Sequence, residues 1–269
     1  VSDGIWTDFD NDGWQDLIVV GEAMPITLFK NEGGKSFSRI HNKVLDRQTG
    51  FWNSLTAGDF DNDGDIDYVV GNLGLNNNFK ISEETPLTIY AKDFDKDGVY
   101  DAIPTVHYLG KENEKEEVPF NVRDDLFKQI NALRQRFDSY EKYANSSIYG
   151  VFAKDDVKDA LVLKINTVTT SYLENKGDGD FKLKDMPLLT QTAPVFGMLV
   201  EDFDQDGFID VLMTGNDFGN EISVGRLDAQ NGLLLRGDGE GGFIPRSMNS
   251  SGFVASGDTK SLVRIQNAA

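Results

Sequence analysis

The chain has 269 residues, of which 26 are basic and 45 acidic, so its formal net charge is −19 at pH 7. This acidity argues against nucleic-acid binding, which requires a basic face. There are no cysteines, which excludes disulfides and thiol chemistry. No run approaches the roughly 18 apolar residues that cross a membrane. The length suits one large all-β domain or two small ones.

A nine-residue acidic loop occurs four times, beginning at Asp8, Asp59, Asp93 and Asp202. Each copy, numbered loop 1 to loop 4 in chain order, has aspartate at positions 1, 3, 5 and 9 and glycine at position 6. Alternate side chains of a tight loop can direct oxygens at one centre, and Ca²⁺ takes about six to eight oxygens. We therefore predict about four calcium ions. The predicted ligands are the side chains at positions 1, 3, 5 and 9 and the backbone carbonyl at position 7: Asp8, Asp10, Asp12, Trp14 and Asp16; Asp59, Asp61, Asp63, Asp65 and Asp67; Asp93, Asp95, Asp97, Val99 and Asp101; Asp202, Asp204, Asp206, Phe208 and Asp210.

These loops differ from an EF-hand, which needs a glutamate at position 12 and flanking helices. Position 12 holds no ligand in any copy; it is Val19, Val70, Pro104 and Met213. Short apolar runs on both sides predict a strand, the loop and a second strand. Position 2 is always phenylalanine, and we predict that it points into the core: Phe9, Phe60, Phe94 and Phe203. Carboxylates this close repel by roughly 1 kcal/mol per pair even in water, so an ion-free loop should be strained.

A second motif, strand–glycine turn–phenylalanine, occurs at 28–37, 172–181 and 234–243. Together the two motifs give four strands per repeat of about 50 residues, as in a propeller blade. The long gap between the third and fourth loops predicts an insertion at about 110–150. Its apolar residues recur at helical spacing, which indicates one helix or two short ones: Leu126, Ile130, Leu133, Phe137, Tyr140 and Ala144. We predict an all-β fold over residues 1–269, a β-propeller of four to five four-stranded blades, either alone or as part of a larger ring, with a short α-helical insertion.

The loops and glycine turns resemble the FG-GAP/VCBS repeat family, whose calcium-binding β-propellers include the integrin α-subunit head. Further phrases resemble large bacterial surface proteins that combine such repeats with an ASPIC/UnbV-type module: 51–55, 71–76, 123–126, 191–195 and 225–229. The ASPIC/UnbV module itself is not evident in the sequence. The resemblance implies an extracellular, cell-surface or periplasmic propeller, and weak oxygen sites for calcium also fill outside the cytosol. It implies no reaction, because such scaffolds host many functions.

We expect a fragment of a longer exported protein that acts as a non-enzymatic scaffold or binding module. Its expected partner is a protein or a surface glycan, and the protein could belong to an outer-membrane complex. Trp6, Trp14 and Trp52 are the candidates for stacking on sugars. The alternative is a carbohydrate-active lyase or hydrolase, for which no catalytic residue is predicted. Convergence of titratable groups outside the loops would favour that alternative: Glu22, Asp46, Arg47, Arg123, Asp217, Arg226 and Asp228.

Overall fold

The computed structural model describes residues 1–110, 114–177, 179–221 and 224–265. Residues 111–113, in the charged segment ahead of the predicted helices, and residue 178, in the second glycine turn, lie outside the described residues. The chain divides into two compact units. The first unit comprises Val1–Asn78 and Val168–Ala269, and the second comprises Phe79–Thr167.

The first unit contains three four-stranded antiparallel sheets, which we number by the acidic loop that each carries. Sheet 1 has β1 (Asp3–Thr7), β2 (Asp16–Val20), β4 (Thr27–Asn31) and β5 (Phe37–Ile40). Sheet 2 has β7 (Ser54–Gly58), β8 (Asp67–Gly71), β13 (Ser171–Asn175) and β14 (Phe181–Asp185). Sheet 4 has β15 (Val195–Glu201), β16 (Asp210–Gly215), β17 (Leu233–Gly237) and β18 (Phe243–Arg246). A separate pair joins β3 (Glu22–Pro25) to β6 (Thr49–Phe51), and two 3-10 helices (Leu45–Arg47 and Leu188–Gln191) and α6 (Met248–Ser251) complete the unit.

Sheet 2 is packed on both faces. One face shares a core with sheet 1, in which Ile18 and Leu28 of sheet 1 join Val70 of sheet 2. The other face contributes Val69 to a second core with Met213 of sheet 4. The edge strand β7 of sheet 2 accordingly contacts both β1 of sheet 1 and β15 of sheet 4. Sheet 2 therefore lies between sheets 1 and 4.

The outward face of sheet 1 is apolar and remains accessible. Trp6 is 59 % exposed and Phe37 is 48 % exposed, and their rings pack with centroids 5.7 Å apart. Phe181 is the residue of sheet 2 that is equivalent to Phe37 of sheet 1, and it is buried against sheet 1. Sheets 1, 2 and 4 therefore follow one another as repeats, and the sheets of the described residues form no closed ring.

The second unit holds sheet 3, which is built differently from the others. Its strands are β9 (Leu87–Lys92), β10 (Asp101–Leu109), β11 (Lys115–Pro119) and β12 (Leu161–Ile165). Their order is β11-β10-β9-β12, so the last strand, β12, pairs with β9, the strand before loop 3. In the other three sheets the last strand pairs with the third strand instead. Loop 3 therefore belongs to a segment that is inserted in the sequence between β8 and β13, two strands that pair with each other in sheet 2. This insertion explains the short spacing between the second and third loops.

Five short helices occupy the part of the second unit between β11 and β12. They are α1 (Arg123–Gln129), α2 (Leu133–Arg136), α3 (Tyr140–Ala144), α4 (Ile148–Val151) and α5 (Lys154–Val157). The predicted line of apolar residues is buried as far as Phe137. Beyond that residue the prediction is wrong, because Tyr140 is 63 % exposed and Tyr143 is buried instead. The backbone leaves the helical region at Ile130 and again at Phe137, and each break resets the helical phase. Among the described residues, no helix has the length and apolar character needed to cross a membrane.

Candidate metal centres

All four acidic loops adopt the same backbone conformation, and each lies between two antiparallel strands as predicted. Position 4 is left-handed in every copy, with φ between 56° and 65° at Asn11, Asn62, Lys96 and Gln205. The glycine at position 6 has φ between 88° and 94°, a region that residues with a Cβ rarely occupy. The repeated glycine therefore allows the turn that brings the aspartates together.

Backbone N–H groups orient the aspartates at positions 1 and 5, as loop 1 illustrates. Asp8 Oδ1 accepts a hydrogen bond from Asp12 N at 3.0 Å, and Asp8 Oδ2 accepts one from Gly13 N at 2.8 Å. Asp12 Oδ1 accepts from Trp14 N at 2.9 Å. The glycine bond to position 1 and the bond from position 7 to position 5 recur in the other three loops. The position-5 carboxylate is thus turned towards its own loop and keeps its Oδ2 for another partner.

The aspartate at position 9 is buried in every loop: Asp16, Asp67, Asp101 and Asp210. In loop 2, Asp67 accepts hydrogen bonds from Asn175 N at 2.8 Å and from Tyr172 Oη at 2.6 Å. Burial raises the pKa of Asp67 to about 6, and burial likewise raises the pKa of the other three. Ionisation of these carboxyls is therefore opposed by desolvation, which a bound cation would offset.

Three carboxylates of each loop approach one another closely enough to share an ion. Their ligand atoms lie within 4.8 Å in the clusters Asp8, Asp10 and Asp16; Asp59, Asp61 and Asp67; Asp93, Asp95 and Asp101; and Asp202, Asp204 and Asp206. Among the described residues, Asp10 Oδ1 and Asp59 Oδ1 are buried and have no hydrogen-bond partner. A buried carboxylate oxygen without a partner is costly, so these atoms fit a metal ligand. The donor set is entirely oxygen, which suits Ca²⁺ or Mg²⁺.

The remaining predicted ligands lie in the same loops but outside these clusters. At position 5 these are Asp12, Asp63 and Asp97, and at position 9 of loop 4 it is Asp210. The carbonyl groups of Trp14, Asp65, Val99 and Phe208 stay predictions as ligands.

Two basic side chains on the loops were not anticipated from the sequence. Lys30 of β4 forms ion pairs with Asp10 and, at 3.1 Å, with Asp12. Arg236 of β17 pairs with Asp206 and, at 3.0 Å, with Asp204. Hydrogen bonds to the two aspartates raise the pKa of Lys30. Aligning the glycine-turn motifs would have placed Lys30 and Arg236 in one column, together with Glu174.

Loops 2 and 3 have a different charge environment. Glu174, in the equivalent position of β13, pairs with Lys176 and Lys184. In the described part of the second unit, ion pairs such as Lys115–Glu84 and Lys128–Asp125 lie away from loop 3. Among the described residues, no ion pair within 4.0 Å joins a basic side chain to the carboxylates of these two loops, although the charge of Lys176 acts on Asp61 and Asp63.

The phenylalanines at position 2 follow the prediction with one exception. Phe9 and Phe60 are each only 2 % exposed, and Phe94 packs on Phe152 with ring centroids 4.6 Å apart. Phe203 is 37 % exposed, so the prediction is wrong there. Phe9 and Phe60 are covered by the following sheet through Phe181 and Phe243, whereas no described sheet follows sheet 4.

Several of the titratable residues outside the loops are held by local partners, and the bridge between Asp217 and Leu227 brings Arg226 and Asp228 beside Asp217. Asp46 pairs with Arg39 and His41 at the surface, and Asp217 pairs with Lys260. Arg226 stacks on Phe218. Arg123 belongs to the second unit, where it donates to the carbonyl of Phe137. Each of these groups has a local structural partner.

The three tryptophans differ in exposure. Trp14 is 48 % exposed and packs beside Gly34, and Trp6 is accessible as well. Trp52 has no exposed surface and lies in the core between sheets 1 and 2. Only the first two can stack on a ligand.

These features define a class of repeat proteins, in which antiparallel sheets carry acidic hairpin loops. A protein-family model, that of the FG-GAP-like repeat, matches residues 8–70 of the sequence. The matched segment contains loops 1 and 2, the strands β2, β4 and β5 of sheet 1, and β7 and nearly all of β8 of sheet 2. The match supports the assignment of this segment to the FG-GAP family. No curated protein matches the chain.

Proposed function

We propose that the chain is a calcium-dependent, propeller-like binding module. The observation that carries this proposal is the convergence of three carboxylates in each loop, with buried oxygens that have no protein partner in loops 1 and 2. A divalent cation would neutralise charges that otherwise repel, and would hold together the two strands that each loop joins. Calcium is favoured over magnesium because it tolerates irregular shells of carboxylate and carbonyl oxygens, whereas magnesium retains several waters.

The proposed location is extracellular, on the cell surface or in the periplasm, where weak calcium sites are filled. The proposed partner is a protein or a surface glycan. The outward face of sheet 1 supports this, because Trp6 and Phe37 are exposed and in mutual contact. Exposed aromatic clusters of this kind are typical of binding surfaces.

Equilibrium calcium binding to chelator-treated protein tests the metal part of the proposal. We expect about four ions per chain, and about one fewer for each position-3 variant: Asp10→Asn, Asp61→Asn, Asp95→Asn and Asp204→Asn. The exposed Asp159, which lies outside the loops, provides the control variant Asp159→Asn. Calcium at about 100 times its Kd should stabilise the fold by about 2.7 kcal/mol per site. Unchanged thermal unfolding with calcium and with chelator would contradict the proposal.

A glycan array and a surface-protein pull-down, each run with calcium and with chelator, test the partner. Specific retention that needs calcium and is lost in Trp6→Ala supports a binding module. Ile244, which is 49 % exposed on β18, provides the control variant Ile244→Ala. Turnover of any glycan would overturn the non-enzymatic proposal.

A further inference from the structure

Loops 1 and 2 lie on neighbouring sheets and are joined by one buried side chain, Asn175. This residue ends β13 and has no exposed surface. Its Nδ2 donates to the carbonyl of Phe9 at 2.8 Å and to the carbonyl of Ile66 at 3.2 Å. Its backbone N donates to Asp67 Oδ1 at 2.8 Å. The same residue therefore holds position 2 of loop 1 and positions 8 and 9 of loop 2.

The equivalent residues of the other two sheets do not make this bridge. Asn31 of sheet 1 donates through its backbone N to Asp16 at 2.7 Å and through Nδ2 to Gln15 at 3.0 Å, both in loop 1. Gly237 of sheet 4 donates to Asp210 through its backbone and has no side chain. Bonding to the position-9 aspartate of its own loop is thus common to all three residues. Among these three residues, Asn175 alone bonds to the preceding loop; in sheet 4 the position-2 carbonyl of loop 2, that of Phe60, instead accepts from the backbone N of Gly241 at 3.2 Å.

Two further contacts cross the same boundary. Asn11, at position 4 of loop 1, donates from Nδ2 to Asp65 Oδ1 of loop 2 at 2.6 Å. The hydroxyls of Thr7, which precedes loop 1, and Tyr68, which follows loop 2, hydrogen-bond at 2.7 Å and are buried. The two loops are therefore connected at their bases and at their tips.

We propose that Asn175 couples the two cation sites, so that an ion in one loop strengthens binding in the other. The inference rests on the proposed calcium function. Asp67 would help to hold a cation in loop 2, and Asn175 donates both to this carboxylate and to the adjacent Ile66 carbonyl, so order at Asp67 would hold the Asn175 amide in position. The amide then holds the Phe9 carbonyl, which lies between the first two ligands of loop 1. The ordering that loop 1 requires on binding is thus partly complete, which is the general origin of positive coupling.

Terbium luminescence reads loop 1 selectively when it is excited at the long-wavelength edge of tryptophan absorption, where tyrosine does not absorb, because Tb³⁺ can replace Ca²⁺ and is sensitised by nearby tryptophan. Trp14 lies in loop 1, Trp6 lies two residues before it, and no other loop contains tryptophan. We expect the loop 2 variant Asp61→Asn to raise the terbium midpoint of loop 1 by about fivefold or more, the lower end of typical coupling. Asp95→Asn in the second unit should leave the midpoint within about twofold.

Asn175→Ala should reduce the effect of Asp61→Asn on loop 1 to less than about twofold, whereas Asn31→Ala, at the same strand position, should retain the full effect. Circular dichroism checks that each variant is folded. If Asn175→Ala does not fold, Asn11→Ala removes the exposed link and should reduce the fivefold effect. Equal terbium midpoints for the wild type and Asp61→Asn would overturn the coupling while leaving the metal sites intact. Absence of saturable luminescence in the wild type would instead overturn the proposed function.

Discussion

Replacing Lys30 by methionine should strengthen cation binding in loop 1. The Lys30 ammonium pairs with Asp10 and Asp12, so its positive charge lies beside carboxylates that are predicted to bind the cation. Methionine keeps most of the aliphatic length of the side chain but has no charge. The substitution therefore removes a competing positive charge and retains the packing of the stem.

The size of the effect follows from Coulomb's law. A divalent ion and a unit charge about 6 Å apart repel by about 1.4 kcal/mol at the dielectric constant of water, which corresponds to about tenfold in Kd. The Lys30 side chain is 30 % exposed, so it can turn into solvent and relieve part of the repulsion. We therefore expect Kd to fall by about two- to tenfold, a free-energy change of about 0.4 to 1.4 kcal/mol.

Calcium titration in competition with terbium, read through Trp14, measures the Kd of loop 1. Lys35→Met, an exposed lysine in the following turn, is the matched control and should change Kd by less than about 1.5-fold because its charge is screened. The ion-free Lys30→Met protein should also unfold at a lower temperature, since Asp10 and Asp12 lose their counter-charge. An unchanged or weaker calcium affinity would refute the proposed competition.

Three further predictions test the packing and the separation of the units. Phe60→Ala should lower the free energy of unfolding by about 3–5 kcal/mol, whereas the exposed Phe203→Ala should lower it by less than about 1.5 kcal/mol; equal losses in urea titrations would contradict the burial argument. Gly215→Ala should destabilise the fold by more than about 2 kcal/mol, because the new Cβ would overlap a backbone carbonyl, while Gly257→Ala should be nearly neutral; a neutral Gly215→Ala would show that the packing there is looser. Asp95→Asn should remove calcium-dependent protection from hydrogen exchange in residues 79–167 and leave that of the first unit unchanged; a loss of protection in both units would show that loop 3 does not act locally.

The acidic loops could be predicted from sequence because their structure is local. Spacing, glycine and flanking apolar runs all lie within a few residues, so the strand–loop–strand arrangement of all four copies is correct. The glycine-turn hairpins are correct for the same reason. The burial of Phe9 and Phe60 also followed, since each is covered by the next repeat.

Features that depend on distant pairing could not be read in this way. In sheet 2, Tyr68 pairs with Leu173, although the whole second unit lies between them in the sequence. No local pattern in the sequence marks where this inserted unit begins. Sheet 3 thus looked like a further repeat, although β12 pairs on the opposite side of it. Lys30, Arg236 and Asn175 reach the loops only after the third strand of each sheet is placed, so their contacts needed the tertiary register.

A crystal structure of the protein grown with calcium, with anomalous data collected to locate the ions, tests the central claim most directly. We predict one calcium peak in each loop, bonded at about 2.4 Å to the aspartates at positions 1, 3, 5 and 9 and to the carbonyl at position 7. We also predict that Lys30 and Arg236 move away from the carboxylates that they contact without the ion. Calcium-free loops that keep both ion pairs in such crystals would contradict the account.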